Sequence, residues 1–186
     1  MGAQAVFLVG FMGSGKSAVG QELARRLGWA FLDLDAIIES RAGRSIPTIF
    51  RQDGEPAFRA AETAALAGLL SDPAALPSVV ALGGGAFAQQ ANRDLLRKHP
   101  TVFLDAPVEE LWRRCRQDAA DRPLGRDREK FDHLYRDRLP FYRRASVAVQ
   151  THGRGLPSIC LEIESALHLR DTTASLNKKA ESGESQ

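Results

Sequence analysis

Short apolar runs alternate with amphipathic stretches along this chain, and each apolar run ends in glycine or in a polar turn. Ala5 to Val9 is continuously apolar and ends at Gly10, which is typical of a strand buried on both faces of a parallel sheet. From Lys16 to Leu27 apolar residues recur every fourth position and Gly28 follows, which predicts a helix and its end. The same reasoning predicts further strands at 29–32, 78–82, 101–105 and 146–150, and helices at 35–41, 46–50, 56–70, 92–98, 108–117, 128–139 and 156–169.

Strands that alternate with helices predict an α/β protein with three layers, α/β/α, around a five-stranded parallel sheet. Ligands of such folds bind at the carboxyl ends of the strands, so chemistry is expected in the segments that follow each strand. Residues 118–127 are polar and contain proline and glycine, so they predict a loop. Residues 171–186 have almost no apolar side chains. We expect them to be a disordered tail, which leaves one domain at 1–170.

The composition excludes several classes of protein. The chain has 186 residues, which suits one domain. No apolar stretch approaches the roughly 20 residues of a membrane span, so no membrane partner is expected. No signal peptide is evident, and Cys115 and Cys160 lack metal-ligand spacing, so we expect reduced thiols in a cytoplasmic protein. The net charge of +2 is too small to indicate nucleic acid binding.

The charge is unevenly distributed along the chain. Between Leu111 and Arg144 there are eleven Lys or Arg residues and six Asp or Glu residues, a net +5, which leaves −3 for the remainder. One interpretation is a site for a small anionic ligand, and the other is a solvated helix face. The count alone does not separate the two.

The segment after the first strand matches a phosphate-binding motif. Residues 10–17 read GFMGSGKS, which fits G-x-x-x-x-G-K-[ST] between a predicted strand and a predicted helix. Its glycines let backbone N–H groups and the positive helix end hold phosphate oxygens. In this motif Lys16 places its charge on the β- and γ-phosphates, and the hydroxyl of Ser17 is a ligand for magnesium. The motif predicts nucleoside triphosphate binding by Gly13, Ser14, Gly15, Lys16, Ser17 and Ala18.

Two carboxylates end the second predicted strand. Asp33 and Asp35 are two positions apart, so on extended chain they point to the same side. One of them suits magnesium, and the other suits a hydroxyl nucleophile. Alternatively, Asp35 only caps the following helix.

Arginines and glycines supply further candidates for an anion site. Arg59 suits a carboxylate clamp, although a lone arginine is typical of a surface. Residues 83–85, all glycine, follow the third strand and permit close approach of a ligand, or form a plain turn. Arg122 lies in the polar loop, where a lid arginine would stabilise a transferring phosphoryl group. Arg138 and the pair at 143–144 offer further anion contacts.

Together these residues resemble the shikimate kinase family. The likeness covers about residues 5 to 170, in order and at fitting spacing. The phosphate-binding motif is shared by many kinases, whereas Asp-x-Asp combined with Arg59 and three glycines is much more specific. The motifs that carry the likeness are GFMGSGKS at 10–17, DLD at 33–35, GRSI at 43–46, IF at 49–50, DGE at 53–55, FR at 58–59, GGGA at 83–86, RPL at 122–124, Arg138, and YR at 142–143.

The resemblance implies transfer of the γ-phosphoryl group of ATP to the 3-hydroxyl of shikimate, with Mg²⁺, in chorismate and aromatic amino-acid biosynthesis. It implies a P-loop NTPase fold like that of nucleoside monophosphate kinases. It places a lid at about 117–127 and a substrate-binding helical segment at about 34–61. It also implies a monomer.

The roles of family residues carry over position by position. Asp35 matches the aspartate that holds the shikimate hydroxyls and is the candidate base, and Asp33 matches a residue of the magnesium environment. The implied catalytic set is Lys16, Asp35 and Arg122, and the implied metal set is Ser17 and Asp33. The implied shikimate set is Asp35, Arg59, Gly83, Gly84, Gly85 and Arg138, of which the two arginines clamp the carboxylate. The implied nucleotide set adds Arg114, Arg122 and Arg154 to the P-loop residues.

Two other functions compete with this one. A gluconate kinase would share the fold, but a neutral polyol needs no paired arginine clamp. A binding module derived from a kinase would bind without turnover, and it would have no reason to keep Lys16, Ser17, Asp33 and Asp35 together. The stretch from Cys115 to Asp121 departs from the family pattern, which leaves the lid contacts undefined.

Overall fold

The structure is a computed structural model and describes residues 5–117 and 127–169. The strands are β1 (Ala5–Val9), β2 (Ala30–Asp33), β3 (Ser78–Ala81), β4 (Thr101–Asp105) and β5 (Val147–Gln150). The helices are α1 (Lys16–Leu27), α2 (Leu34–Ala42), α3 (Ile46–Ser71), α4 (Gln90–Leu95), α5 (Val108–Gln117), α6 (Arg128–Tyr142) and α7 (Leu156–Ala166). In the described part of the chain the strands form one parallel sheet of five, in the order β2-β3-β1-β4-β5. The predicted sheet is confirmed.

β1 lies at the centre of the sheet, and all of its residues are buried. Because side chains alternate along a strand, Phe7 and Val9 pack on one face while Val6 and Leu8 pack on the other. The first face is covered by α2 through α6, and the second by α1 and α7. Helices on both faces explain why the strands are continuously apolar, and they confirm the α/β/α layers.

Several boundaries differ from the sequence prediction. The predicted helices at 46–50 and 56–70 both belong to α3, which is kinked at Gly54 (φ 81°, ψ 173°). α6 continues beyond its predicted end at 139, through Pro140, because Tyr142 is fully buried and the N–H of Arg143 bonds to carbonyls of the last turn. α7 ends three residues earlier than predicted, because His168 adopts a positive φ of 51°.

Shorter elements also depart from the prediction. The predicted helix at 92–98 is α4 followed by a 3₁₀ turn at Leu96–Lys98. Two further 3₁₀ turns, at Pro73–Ala75 and Ala86–Ala88, were not predicted. The predicted lid around 117–127 lies almost wholly outside the described residues, as does the tail at 171–186. No helix in the described ranges combines the length and apolar character of a membrane span.

Candidate active site

The loop between β1 and α1 forms a tight backbone cradle. Gly13 has a φ of 79°, and a Cβ there would lie 2.9 Å from the carbonyl oxygen of Leu111 and 3.0 Å from Cys115 Sγ. A side chain is therefore excluded both by backbone strain and by α5. Gly15 has a φ of 89° and precedes the first turn of α1. The cradle thus presents main-chain groups at a helix N-terminus, which is an arrangement that binds phosphate.

The side chain of Lys16 forms hydrogen bonds to the start of this loop. Its Nζ donates to the carbonyl oxygens of Gly10 at 2.9 Å and Phe11 at 3.1 Å. The ammonium group therefore lies over the end of β1, beside a cleft of about 1170 Å³. The predicted residues that line this cleft are Gly13, Gly15, Lys16, Ser17, Ala18, Asp33, Asp35, Gly83, Gly84, Arg114 and Arg138.

Asp33, not Asp35, caps α2. Oδ1 of Asp33 accepts a hydrogen bond from the backbone N–H of Asp35 at 3.0 Å. The interpretation of Asp35 as a helix cap is therefore wrong. Oδ1 of Asp35 is buried, and within the described residues it has no hydrogen-bond partner. That oxygen lies against Gly83, while Asp35 as a whole is one of the residues that line the cleft.

The surroundings of Asp35 favour its protonated form. Burial raises the pKa of Asp35, and the nearby carboxylate of Asp33 raises it further. The positive charges of Lys16 and Arg59 act in the opposite direction. A carboxyl group with a raised pKa is a stronger proton acceptor once it is ionised, which suits a general base.

The three glycines at 83–85 follow β3 and form what we call the glycine loop. This loop lies against the charged side chains of the site. A Cβ on Gly83 would lie 2.5 Å from Asp35 Oδ1, and a Cβ on Gly85 would lie 2.6 Å from both terminal nitrogens of Arg59. Gly84 is less crowded, with Arg138 Nη1 3.5 Å from the equivalent position. From the sequence, these glycines were expected to permit the close approach of a ligand. The structure shows a second reason for these glycines, because the side chains of the site approach the loop themselves.

Arg59 is held between two carboxylates. Its Nη1 donates to Glu62 Oε2 at 3.0 Å, and its Nη2 donates to Glu55 Oε1 at 3.0 Å. Glu62 is fully buried, and burial raises its pKa while the charge of Arg59 lowers it. Arg59 lies beside Gly85, and neither of these two predicted residues is among the described residues that line the cleft. Its guanidinium is therefore fixed next to the glycine loop.

The three arginines that were predicted to contact the nucleotide lie in different parts of the chain. Arg114 lines the cleft, and its Nη1 donates to the carbonyl of Gly13 at 3.2 Å. Arg154 lies between β5 and α7, where Ser158 and Glu162 bind its guanidinium, and it is not among the described residues that line the cleft. Arg122 lies outside the described residues. The nucleotide role of each stays a prediction.

The structure adds residues that the sequence prediction did not assign. Phe50 is 38% exposed at the cleft and packs against Phe58 at 4.6 Å between ring centroids. The signal for Glu62 was a single acidic residue in an alanine-rich helix, three positions after Arg59. The further cleft residues are Met12, Ile46, Pro47, Arg51, Ala81, Leu82 and Gln117.

A comparison with protein families agrees with this geometry. The family model described as shikimate kinase matches residues 12–168. The chain belongs to the shikimate kinase family. The predicted resemblance is therefore confirmed, and with it the P-loop kinase fold.

Individual members of the shikimate kinase family match most of the chain. The shikimate kinase of Ruegeria pomeroyi is 45% identical over 152 residues, which are 80% of this chain and 76% of that protein. The shikimate kinase of Geobacter metallireducens is 43% identical over 169 residues, 89% of this chain and 92% of that protein. The solved structure of shikimate kinase from Acinetobacter baumannii, in complex with shikimate, is 34% identical with a TM-score of 0.74. That match covers 99% of this chain and 96% of the solved one.

Proposed function

We propose that this chain transfers the γ-phosphoryl group of ATP to the 3-hydroxyl of shikimate, a reaction of chorismate and aromatic amino-acid biosynthesis. Membership of the shikimate kinase family supports this activity. The observation that carries it is the position of Asp35, which lines the same cleft as Lys16 and whose buried Oδ1 is unpartnered among the described residues. An acceptor hydroxyl in this cleft would have a base on one side and a phosphate cradle on the other.

The nucleotide side of the cleft is built to hold phosphate. The backbone between Gly10 and Gly15 offers N–H groups at the start of α1, and Lys16 adds a positive charge. In the structure Nζ of Lys16 donates to two carbonyls of its own loop. Phosphate oxygens are stronger acceptors than carbonyls, so we infer that Lys16 exchanges these bonds for the β- and γ-phosphates.

Two side chains fit a magnesium ion. Ser17 and Asp33 both line the cleft, and a hydroxyl and a carboxylate are oxygen donors of the kind that Mg²⁺ selects. Within the described residues no three His, Cys, Asp or Glu side chains are grouped to enclose a metal. That agrees with a magnesium site in which phosphate and water supply the remaining ligands. When bound, Mg²⁺ neutralises charge on the β- and γ-phosphates.

The acceptor side matches a hydroxylated carboxylic acid. Arg138 lies near Gly84 and Arg59 lies near Gly85, and we assign both arginines to the acceptor carboxylate. Asp35 holds the reacting hydroxyl and takes its proton as the oxygen attacks the γ-phosphorus. The reaction therefore depends mainly on the positions of these side chains and on charge stabilisation, as is usual for phosphoryl transfer.

The strongest competitor is a kinase for a neutral polyol. Such an acceptor has no carboxylate, so the guanidinium of Arg138, which lines the cleft, would have no anionic group of the acceptor to bind. The position of Arg138 therefore favours an acidic acceptor.

One assay tests this proposal. Purified protein with MgATP is given shikimate, quinate, gluconate or glycerol, and ADP release is followed by a coupled assay. We expect ADP release that depends on shikimate and a phosphorylated product at the 3-hydroxyl, identified by NMR. ADP release with gluconate but not with shikimate would overturn the proposal.

A further inference from the structure

Tyr142 ends α6 and is fully buried beside the glycine loop. Its ring stacks on Phe103 with 5.5 Å between centroids and 26° between planes. Its hydroxyl donates a hydrogen bond to the carbonyl oxygen of Gly84. The guanidinium of Arg138, one helical turn earlier, lies close enough to the same hydroxyl to lower its pKa. One phenolic oxygen therefore connects a guanidinium of the cleft with the backbone of the loop.

The hydrogen bond to Gly84 fixes the orientation of the Tyr142 hydroxyl. A phenol has one proton to give and accepts in return, so donation to Gly84 leaves its oxygen to accept from Arg138. Burial raises the pKa of Tyr142 to about 12, so the hydroxyl keeps its proton at neutral pH. Arg138 Nη1 also lies 3.5 Å from the position that a Cβ on Gly84 would occupy. Guanidinium, hydroxyl and carbonyl thus form a short ordered chain.

The last turn of α6 has anchors that do not involve this hydroxyl. Arg93 donates from Nη1 to the carbonyl of Phe87 at 2.8 Å, and its guanidinium lies 4.7 Å from the ring centroid of Phe141. The stack of Tyr142 on Phe103 needs only the ring. A phenylalanine at position 142 therefore keeps these contacts and removes the hydroxyl alone.

We propose that Tyr142 is a positioning residue for the acceptor, whose hydroxyl holds the Arg138 guanidinium and the Gly84 carbonyl in the geometry that binds the acceptor carboxylate. The proposal rests on the proposed function, since it assigns Arg138 to that carboxylate. Tyr142 acts through Arg138 and the loop, not by contact with the substrate. Because Arg138 is assigned to the acceptor carboxylate, we expect the larger effect on acceptor binding, although Gly84 also lies near the backbone of Gly10 and Met12.

The test compares Tyr142→Phe with the wild-type chain in steady-state kinetics. We expect the KM for shikimate to rise about tenfold, which equals about 1.4 kcal/mol, while the KM for ATP changes by less than twofold. The matched control is Tyr135→Phe, which removes the other tyrosine hydroxyl, also on α6, and leaves both values unchanged. A purely structural role for Tyr142 would lower the Tm without separating the two KM values. An unchanged KM for shikimate in folded Tyr142→Phe overturns the proposal.

A second readout does not depend on turnover. The chain has two tyrosines, so ¹³Cζ-tyrosine labelling gives two NMR signals, and Tyr135→Phe assigns them. Arg138→Met should move the Tyr142 signal and leave the Tyr135 signal in place, because the guanidinium close to the Tyr142 oxygen is lost. A Tyr142 signal that does not move rejects the proposal. Failure of the proposed function would instead appear as wild-type protein without ADP release on shikimate, whatever the NMR result.

Discussion

At Asp35, the ionised form that a general base requires is also the form that its surroundings destabilise. Its carboxylate is buried beside Asp33 and touches the glycine loop, and both burial and the neighbouring charge disfavour ionisation. Asp35→Asn keeps the shape and removes the charge. We expect turnover to fall about 10³-fold, because a general base contributes about that much. The free energy of unfolding should rise by about 1 kcal/mol, which is typical when a destabilising active-site group is replaced. ADP release and thermal unfolding measure the two effects.

The pH dependence of the stability gained by Asp35→Asn follows from the direction in which the pKa of Asp35 is shifted. Burial raises the pKa of Asp35 in the folded chain, so the ionised group costs stability at neutral pH. The cost begins to fall as the pH drops to the raised pKa, and it is gone below the ordinary pKa of aspartate, where the folded and the unfolded chain both carry the proton. The difference in Tm between Asp35→Asn and wild type should therefore shrink in acid. A gap that stays constant down to pH 4 would contradict the assigned pKa direction.

Arg59 and Glu62 are best tested together. Arg59→Ala removes the proposed carboxylate clamp, but it also leaves the buried carboxylate of Glu62 without its partner. We expect a loss of about 3 kcal/mol in stability, since breaking a buried pair from one side is costly. The double variant Arg59→Ala with Glu62→Gln should recover much of that stability without recovering shikimate affinity. ATP affinity should stay near wild type in both variants, as measured by calorimetry. Recovery of shikimate affinity in the double variant would contradict the clamp.

Much of the candidate site could be predicted from single residues because its signals are local. The spacing of Asp33 and Asp35 and the P-loop motif are fixed by chain geometry over a few positions. Glu62 was not predicted, because its burial depends on how α3 packs in the fold, although its i,i+3 spacing from Arg59 is local. The choice between Asp33 and Asp35 as helix cap also needed coordinates, since both carboxylates stand at the start of α2.

At the scale of elements, α1 joins the P-loop to the sheet through one small residue. Gly20 lies in the middle of α1, and a Cβ there would come within 2.4 Å of Phe31 and 3.2 Å of Leu8. α1 therefore packs closely on β1 and β2. Since α1 begins at Lys16, this packing also sets where the phosphate cradle stands relative to the end of β1.

Two glycine substitutions separate packing from helix propensity. Gly20→Ala should destabilise the fold by about 2 kcal/mol, because the ring of Phe31 is held by the sheet and overpacking is costly. Gly68→Ala, inside α3, meets only the mobile end of Arg41 at 2.9 Å. It should stabilise the fold by about 0.5 kcal/mol, since alanine favours helix over glycine. Chemical denaturation of both variants gives the comparison. A stabilised Gly20→Ala would contradict the close packing of α1.

The elements that could be predicted are those whose pattern is complete within the element. β1, β4 and α5 have the predicted bounds, since each is a clear run between polar or glycine-containing turns. α6 extends through Pro140 because burial of Tyr142 outweighs the local preference of proline to end a helix. The two pieces of α3 were predicted separately, since glycine and proline at its kink interrupt the apolar pattern.

For the whole molecule, the described arginines of the positive segment from Leu111 to Arg144 fall into two groups. Arg114 and Arg138 line the cleft, where anionic ligands are expected. Arg128 instead pairs with Asp132 at 2.8 Å on the same helix, as on an ordinary solvated face. The net charge of the chain hides this division because it sums over both groups. A local count locates the cationic region, but the fold decides which of its arginines reach the ligand.

The extent of the working domain is the last prediction. Leu169 is fully buried in the core on the α1 and α7 face, with Ile163, and Leu167 packs against the same core. A chain ended after residue 170 keeps both leucines, so its Tm and its shikimate-dependent ADP release should match the full chain. A chain ended after Ala166 loses both, and it should be less stable by about 3 kcal/mol, as for other losses of buried leucine. Lower activity of the chain ended at 170, at equal Tm, would instead assign a role in turnover to residues 171–186.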